Sequence, residues 1–126
     1  MSGSFTLELE KFAERTGQKR DTLIRYFCLS LFRDVVLGTP VDTGRARANW
    51  QASIGAAPEG TVTRNDKAGG TTTAKGMATA QRAAGEVFYI TNNLPYIYRL
   101  EFEGHSKQAP AGWVRTAIER NAGMFK

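Results

Sequence analysis

Between Asp21 and Leu37 the apolar residues Ile24, Phe27, Cys28, Leu31 and Val35 recur at spacings of three and four, which is one face of an α-helix. Leu29, Phe32 and Val36 widen that face beyond what a surface helix buries, so the helix needs cover on two sides, by a sheet and by a second subunit. Gly38 ends it, and Pro40, with no N–H to donate, confirms the stop. From Ala46 to Gly55 the period changes to two: Ala48, Trp50, Ala52 and Ile54 alternate with Asn49, Gln51 and Ser53, which predicts a half-buried strand. Glu86 to Asn92 contains the run Val87-Phe88-Tyr89-Ile90-Thr91, which predicts a central strand covered on both faces. Near the start, Phe5, Leu7, Leu9, Phe12 and Ala13 suit a short helix with Glu8 and Glu10 at its positive end, although the first three also alternate as a strand would.

The stretch from Pro58 to Gly85 is rich in Gly, Thr and Ala and offers only Val62 and Met77 for burial. A long insert of this kind inside a small domain tends to be functional or mobile. Its second half, Thr73 to Ala84, has the composition of an Ala-rich helix, whereas its first half has no apolar means of packing itself. Beyond it, Tyr96, Ile97 and Leu100 have helical spacing, Gly104 to Pro110 is a polar loop, and Ala111 to Asn121 forms an amphipathic helix through Trp113, Val114, Ala117 and Ile118 that ends at Gly123. The order predicts an α+β fold: a small antiparallel sheet packed by N-terminal and C-terminal helices, with a long flexible insert at 58–85.

At 126 residues and 41% hydrophobic content, residues 1–126 make a single domain with a real core. No stretch approaches the roughly 20 apolar residues a spanning helix needs. Met1-Ser2-Gly3-Ser4 does not open a basic-then-apolar leader, so neither export nor membrane insertion is expected. One cysteine, Cys28, and one histidine, His105, supply neither an internal disulfide nor a Cys/His zinc cluster, so no metal and no cofactor is expected. The net charge of +5 allows attraction to polyanions without forming a dedicated basic arm.

Thr39-Pro40-Val41-Asp42-Thr43-Gly44-Arg45 is a turn sequence in which the Asp42 carboxylate accepts a backbone N–H two residues on and Gly44 takes a positive φ. Arg45 and Arg47 would share one strand face, where they meet acidic groups or phosphates, or are simply solvated. His105 lies close to Glu101, Glu103 and Ser106, but no nucleophile elbow accompanies it, so the chain is not read as an enzyme. Gly69-Gly70-Thr71-Thr72 lacks the Gly-Lys-Ser/Thr ending of a phosphate loop. Arg64, Lys67, Lys75 and Arg82 on the insert are candidates to face DNA through sequence-independent phosphate contacts, since no aromatic residue is interleaved to stack on bases. The aromatics gather instead at Phe88, Tyr89, Tyr96, Tyr98, Phe102 and Trp113, and tyrosine and tryptophan are enriched where proteins bury surface against each other.

Two stretches in this order resemble a known family. Thr39 to Trp50 looks like its P-V-D-T-G-R-x-R-x-x-W element. Asn92-Asn93-Leu94-Pro95-Tyr96 through Leu100-Glu101-Phe102, followed by Gly104-His105-Ser106-Lys107-Gln108-Ala109-Pro110-Ala111-Gly112-Trp113-Val114-Arg115, looks like its second element. Glu103 is a departure, since the family pattern runs from the aromatic directly into glycine. The family is the HK97-type tail-completion or neck component of tailed bacteriophages and prophages, also called minor tail proteins. The resemblance implies a structural virion subunit, made in the host cytoplasm and resident in the neck, that closes the head-proximal end of the tail and joins it to the head. Its implied partners are copies of itself in a ring, with a hexamer as one form, together with tail-tube or tail-terminator and head-connector proteins and, transiently, phage DNA. Interface candidates are then Asp42, Arg45, Arg47, Trp50, Tyr96, Tyr98, Glu101, His105, Lys107, Gln108, Trp113 and Arg115, with the insert ordering against a neighbour or facing the lumen. A non-specific nucleic-acid-binding module is the alternative.

Overall fold

The computed structural model describes residues 11–41, 43–84, 86–103 and 112–125. Most of the helix expected over Phe5 to Ala13 lies outside them; residues 11–16 are helical and form α1. Then follow α2 (Arg20–Gly38), a single helical turn α3 (Arg45–Ala48), β1 (Gln51–Ile54), α4 (Gly70–Ala80), β2 (Phe88–Thr91), α5 (Ile97–Glu103), α6 (Trp113–Ala122) and a 3₁₀ turn (Gly123–Phe125). The architecture is α+β, with helices packed against one small antiparallel sheet in which Gln51 faces Thr91 and Ile54 faces Phe88.

Helix α2 forms where the apolar spacing places it, and it buries Phe32, Val35 and Val36 almost completely. These three make the main core with Trp50, Trp113 and Ala117, while Leu23 packs against Phe12 and Ala13, and Cys28 against Ala80 and Ala83. Burying each large side chain contributes about 1.5–3 kcal/mol, so the wide apolar arc is the main stabilising element. Within the chain both α4 and α6 pack against α2, while Tyr26 and Leu37 of the same helix stay exposed. Gly38 proves to be the last helical residue, and the stop falls on Thr39. Gly38 has no Cβ because one would stand 2.9 Å from Cδ1 of Trp113.

Three expectations change. The strand expected over Ala46 to Gly55 exists only from Gln51; residues 45–48 make a helical turn, so Arg45 and Arg47 do not share a strand face. Among the described residues the sheet has two strands, so the strand expected as central over Glu86 to Asn92 has one partner there, β1, and Val87 is 61% exposed. The insert at 58–85 is not structureless. Its second half is α4, whose Gly76 lets the Phe32 ring lie against the helix backbone, and its first half is held by polar side chains of its neighbours.

Candidate interaction surfaces

The first family-like stretch folds into a corner held by hydrogen bonds. Thr39 Oγ1 donates to the Val35 carbonyl at 2.7 Å and accepts from the Trp50 indole N–H at 2.8 Å, which ties the end of α2 to the start of β1. Arg47 uses its whole fork: Nε donates to Thr39 O at 3.1 Å, Nη2 to Leu37 O at 2.7 Å and Nη1 to Lys67 O at 2.8 Å. Planar donors with fixed geometry suit a guanidinium and not an ammonium. Gly44 sits at φ 88°, and a Cβ there would lie 2.5 Å from the Lys67 backbone nitrogen. Its carbonyl accepts the Asp66 N–H at 3.0 Å, so corner and insert touch backbone to backbone.

The first half of the insert is fixed by amide side chains. Asn49, fully buried, donates to Val62 O at 3.0 Å and accepts the Val62 N–H at 2.8 Å, as a neighbouring strand would. Asn93 donates to the carbonyls of Pro58 and Gly60, and Gln51 also reaches Gly60. Asp66 then caps α4: its carboxylate accepts the N–H groups of Gly69 and Thr72 and the Thr72 hydroxyl. Partial burial alone would raise this carboxyl, but the bonds from Thr72 and Gly69 and the charge of Arg64 hold it below its ordinary value.

The second stretch is built the same way. Glu101, only 7% exposed, accepts the backbone N–H groups of Val114 and Arg115 and so caps α6 from α5, while its own carbonyl accepts the Gly112 N–H. The Trp113 indole donates to Val35 O at 3.2 Å. Both tryptophans therefore close on the last turns of α2. A buried polar seam continues along α2 and α6, where Ser30 donates to Asn121 at 2.6 Å and Asn121 donates to Asp34 at 2.9 Å.

The sequence-level candidates thus divide. Trp50, Glu101 and Trp113 are buried, and half-buried Arg47 is bound to backbone carbonyls, so all four hold the fold. Arg45, Tyr96, Tyr98 and Arg115 are exposed, with Tyr98 at 65%. Asp42, His105, Lys107 and Gln108 lie outside the described residues. Of the basic residues assigned to the insert, Lys67, Lys75 and Arg82 are exposed, whereas Arg64 donates to Ala48 O and Thr72 Oγ1. A cleft of about 200 Å³ between α2, β1 and α4 is lined by Phe32, Trp50, Val62, Arg64 and Lys75 among others, with the Arg64 Nε–H buried and without a hydrogen-bond partner. Asp66, Ser30 and Asn121 carry no sequence-level assignment, and Asn49, expected on the polar side of a strand, is fully buried. The D-x-x-G spacing of Asp66 ahead of a small-residue helix is the one signal that was available.

Among the described residues no three His, Cys, Asp or Glu side chains come together to hold a metal ion. Burial pushes the Cys28 thiol up to about 11, away from the reactive thiolate. None of the described helices is long and apolar enough to cross a membrane. Neither a protein-family model, nor a curated protein, nor a solved structure matches the chain.

Proposed function

We propose that this protein is a structural component of a tailed bacteriophage or prophage virion, closing the head-proximal end of the tail and joining tail to head as a ring of identical subunits. The observation that carries this reading is the convergence of the two family-like stretches. Trp50 from the first bonds to Thr39, the C-cap of α2, and Trp113 from the second to Val35 in its last turn. Residues far apart in sequence that meet at one corner behave as a single architectural unit, which is what a shared family framework requires. The framework leaves Tyr96, Tyr98, Arg45 and Arg115 on the outside, residue types suited to subunit contacts. The first test is mass spectrometry and immunogold labelling of purified particles from the phage that encodes it. Label confined to the head–tail junction is expected; particles free of the polypeptide would overturn the proposal.

A second reading is favoured by one specific observation. Between Arg45 and Arg82 six Lys and Arg stand against two acids, which concentrates +4 of the +5 formal charge there, and Arg45, Lys67, Lys75 and Arg82 are exposed. A non-specific nucleic-acid-binding module would use these four for phosphate contacts. Duplex DNA affinity that persists at moderate salt with a sequence preference would favour that reading over the ring.

A further inference from the structure

Among the described residues the outer edge of β2 has no pairing strand. The Gly55 N–H donates to Val87 O at 2.9 Å, so Gly55 and Val87 form a hydrogen-bonded pair, and the register alternates from there. Tyr89 and Thr91 therefore bond inward to β1, while the N–H and C=O groups of Phe88 and Ile90 turn outward. No described residue pairs with those outward groups. The run Val87 to Thr91 itself carries none of the Lys, Pro or Gly that blunt sheet edges. On the core face Phe88 and Ile90 line an apolar groove of about 200 Å³ with Leu31, Val35, Val114 and Ile118.

We infer that β2 pairs with β2 of a second copy, antiparallel about a two-fold axis through Tyr89. In that register Phe88 of each copy faces Ile90 of the other, and the two residues exchange main-chain bonds in both directions. These are the aromatic and β-branched cross-strand pairs that stabilise sheets. Tyr89 faces Tyr89 on the open face, and Val87, now 61% exposed, faces Thr91. At the ends Glu86 meets Asn92, so no like charges oppose each other. The product is one four-stranded sheet whose apolar face lies over the grooves of both copies, the strand-addition mode of recognition. A two-stranded sheet is marginal by itself and gains most from such an extension. The contact is isologous and closes on itself, unlike the head-to-tail contacts of a ring. It is a property of the free protein and holds whether or not the virion reading does.

Sedimentation equilibrium of the full chain tests it. A concentration-dependent rise from 13.9 kDa to twice that mass is expected. Tyr89→Lys and Tyr89→Glu each place like charges face to face and should each give monomer, while an equimolar mixture of the two should recover the dimer. Recovery on mixing distinguishes lost pairing from lost folding. Tyr89→Cys should crosslink to its counterpart under mild oxidation, since a non-hydrogen-bonded pair brings Cα atoms to about 4.5 Å and buried Cys28 does not compete. A wild-type chain that stays monomeric at every concentration, or charged variants that dimerise as it does, would overturn the inference.

Discussion

Arg45 and Arg47 are separated by one alanine, yet their guanidinium groups have opposite fates. Arg45 reaches into solvent, whereas Arg47 binds three carbonyls from α2, its C-cap and the insert. Arg47→Lys keeps the charge and loses the fork, and is expected to lower stability by about 1–3 kcal/mol; Arg45→Lys should stay within about 0.5 kcal/mol. Urea unfolding of both variants separates the two roles, and equal effects would contradict the geometry. Gly44→Ala combines a left-handed φ with a backbone clash, and a loss of about 1–3 kcal/mol is expected in the same assay. Sequence pattern treats these arginines alike because it records spacing and charge, not which backbone carbonyls come within reach. Glu101 is an interface candidate by sequence, and its capping of α6 depends on where α5 ends, which no local pattern encodes.

At the scale of elements, α2 was legible almost to the residue because its apolar period is long and unbroken. The stretch from Ala46 to Gly55 misled because small residues satisfy either period; Gly44 in the left-handed region starts a helical turn that shifts the strand to Gln51. The insert looked structureless for a related reason. Apolar residues are what a pattern detects, and this segment is held by amides and a capping carboxylate. That mode of attachment has a pH signature. The Asp66 carboxyl titrates below its ordinary value in the folded chain, so its contribution is complete above the unfolded value of about 3.9 and is lost as pH falls through the folded one. Amide hydrogen exchange across 62–80 should therefore accelerate in acid ahead of α2, and Asp66→Asn should remove that difference. Exchange that quickens equally in both elements would contradict the capping role.

For the whole molecule, the core and the two tryptophan clamps fall to one corner, while the charge falls to the segment from Arg45 to Arg82. That division suits a subunit whose rigid frame is internal and whose outer face meets partners. Four exposed cations contribute few phosphate contacts, so affinity for duplex DNA should be weak and fall steeply between low and physiological salt, with a log–log slope of magnitude near 4 at most. Filter binding across a salt series measures it, and a steeper slope would mean a larger nucleic-acid surface than the structure presents. The junction role is tested most directly by electron microscopy of particles assembled after deletion of this chain. Full heads and finished tails left apart, or tails of irregular length, are the expected result; intact, infectious particles indistinguishable from the parent would contradict it.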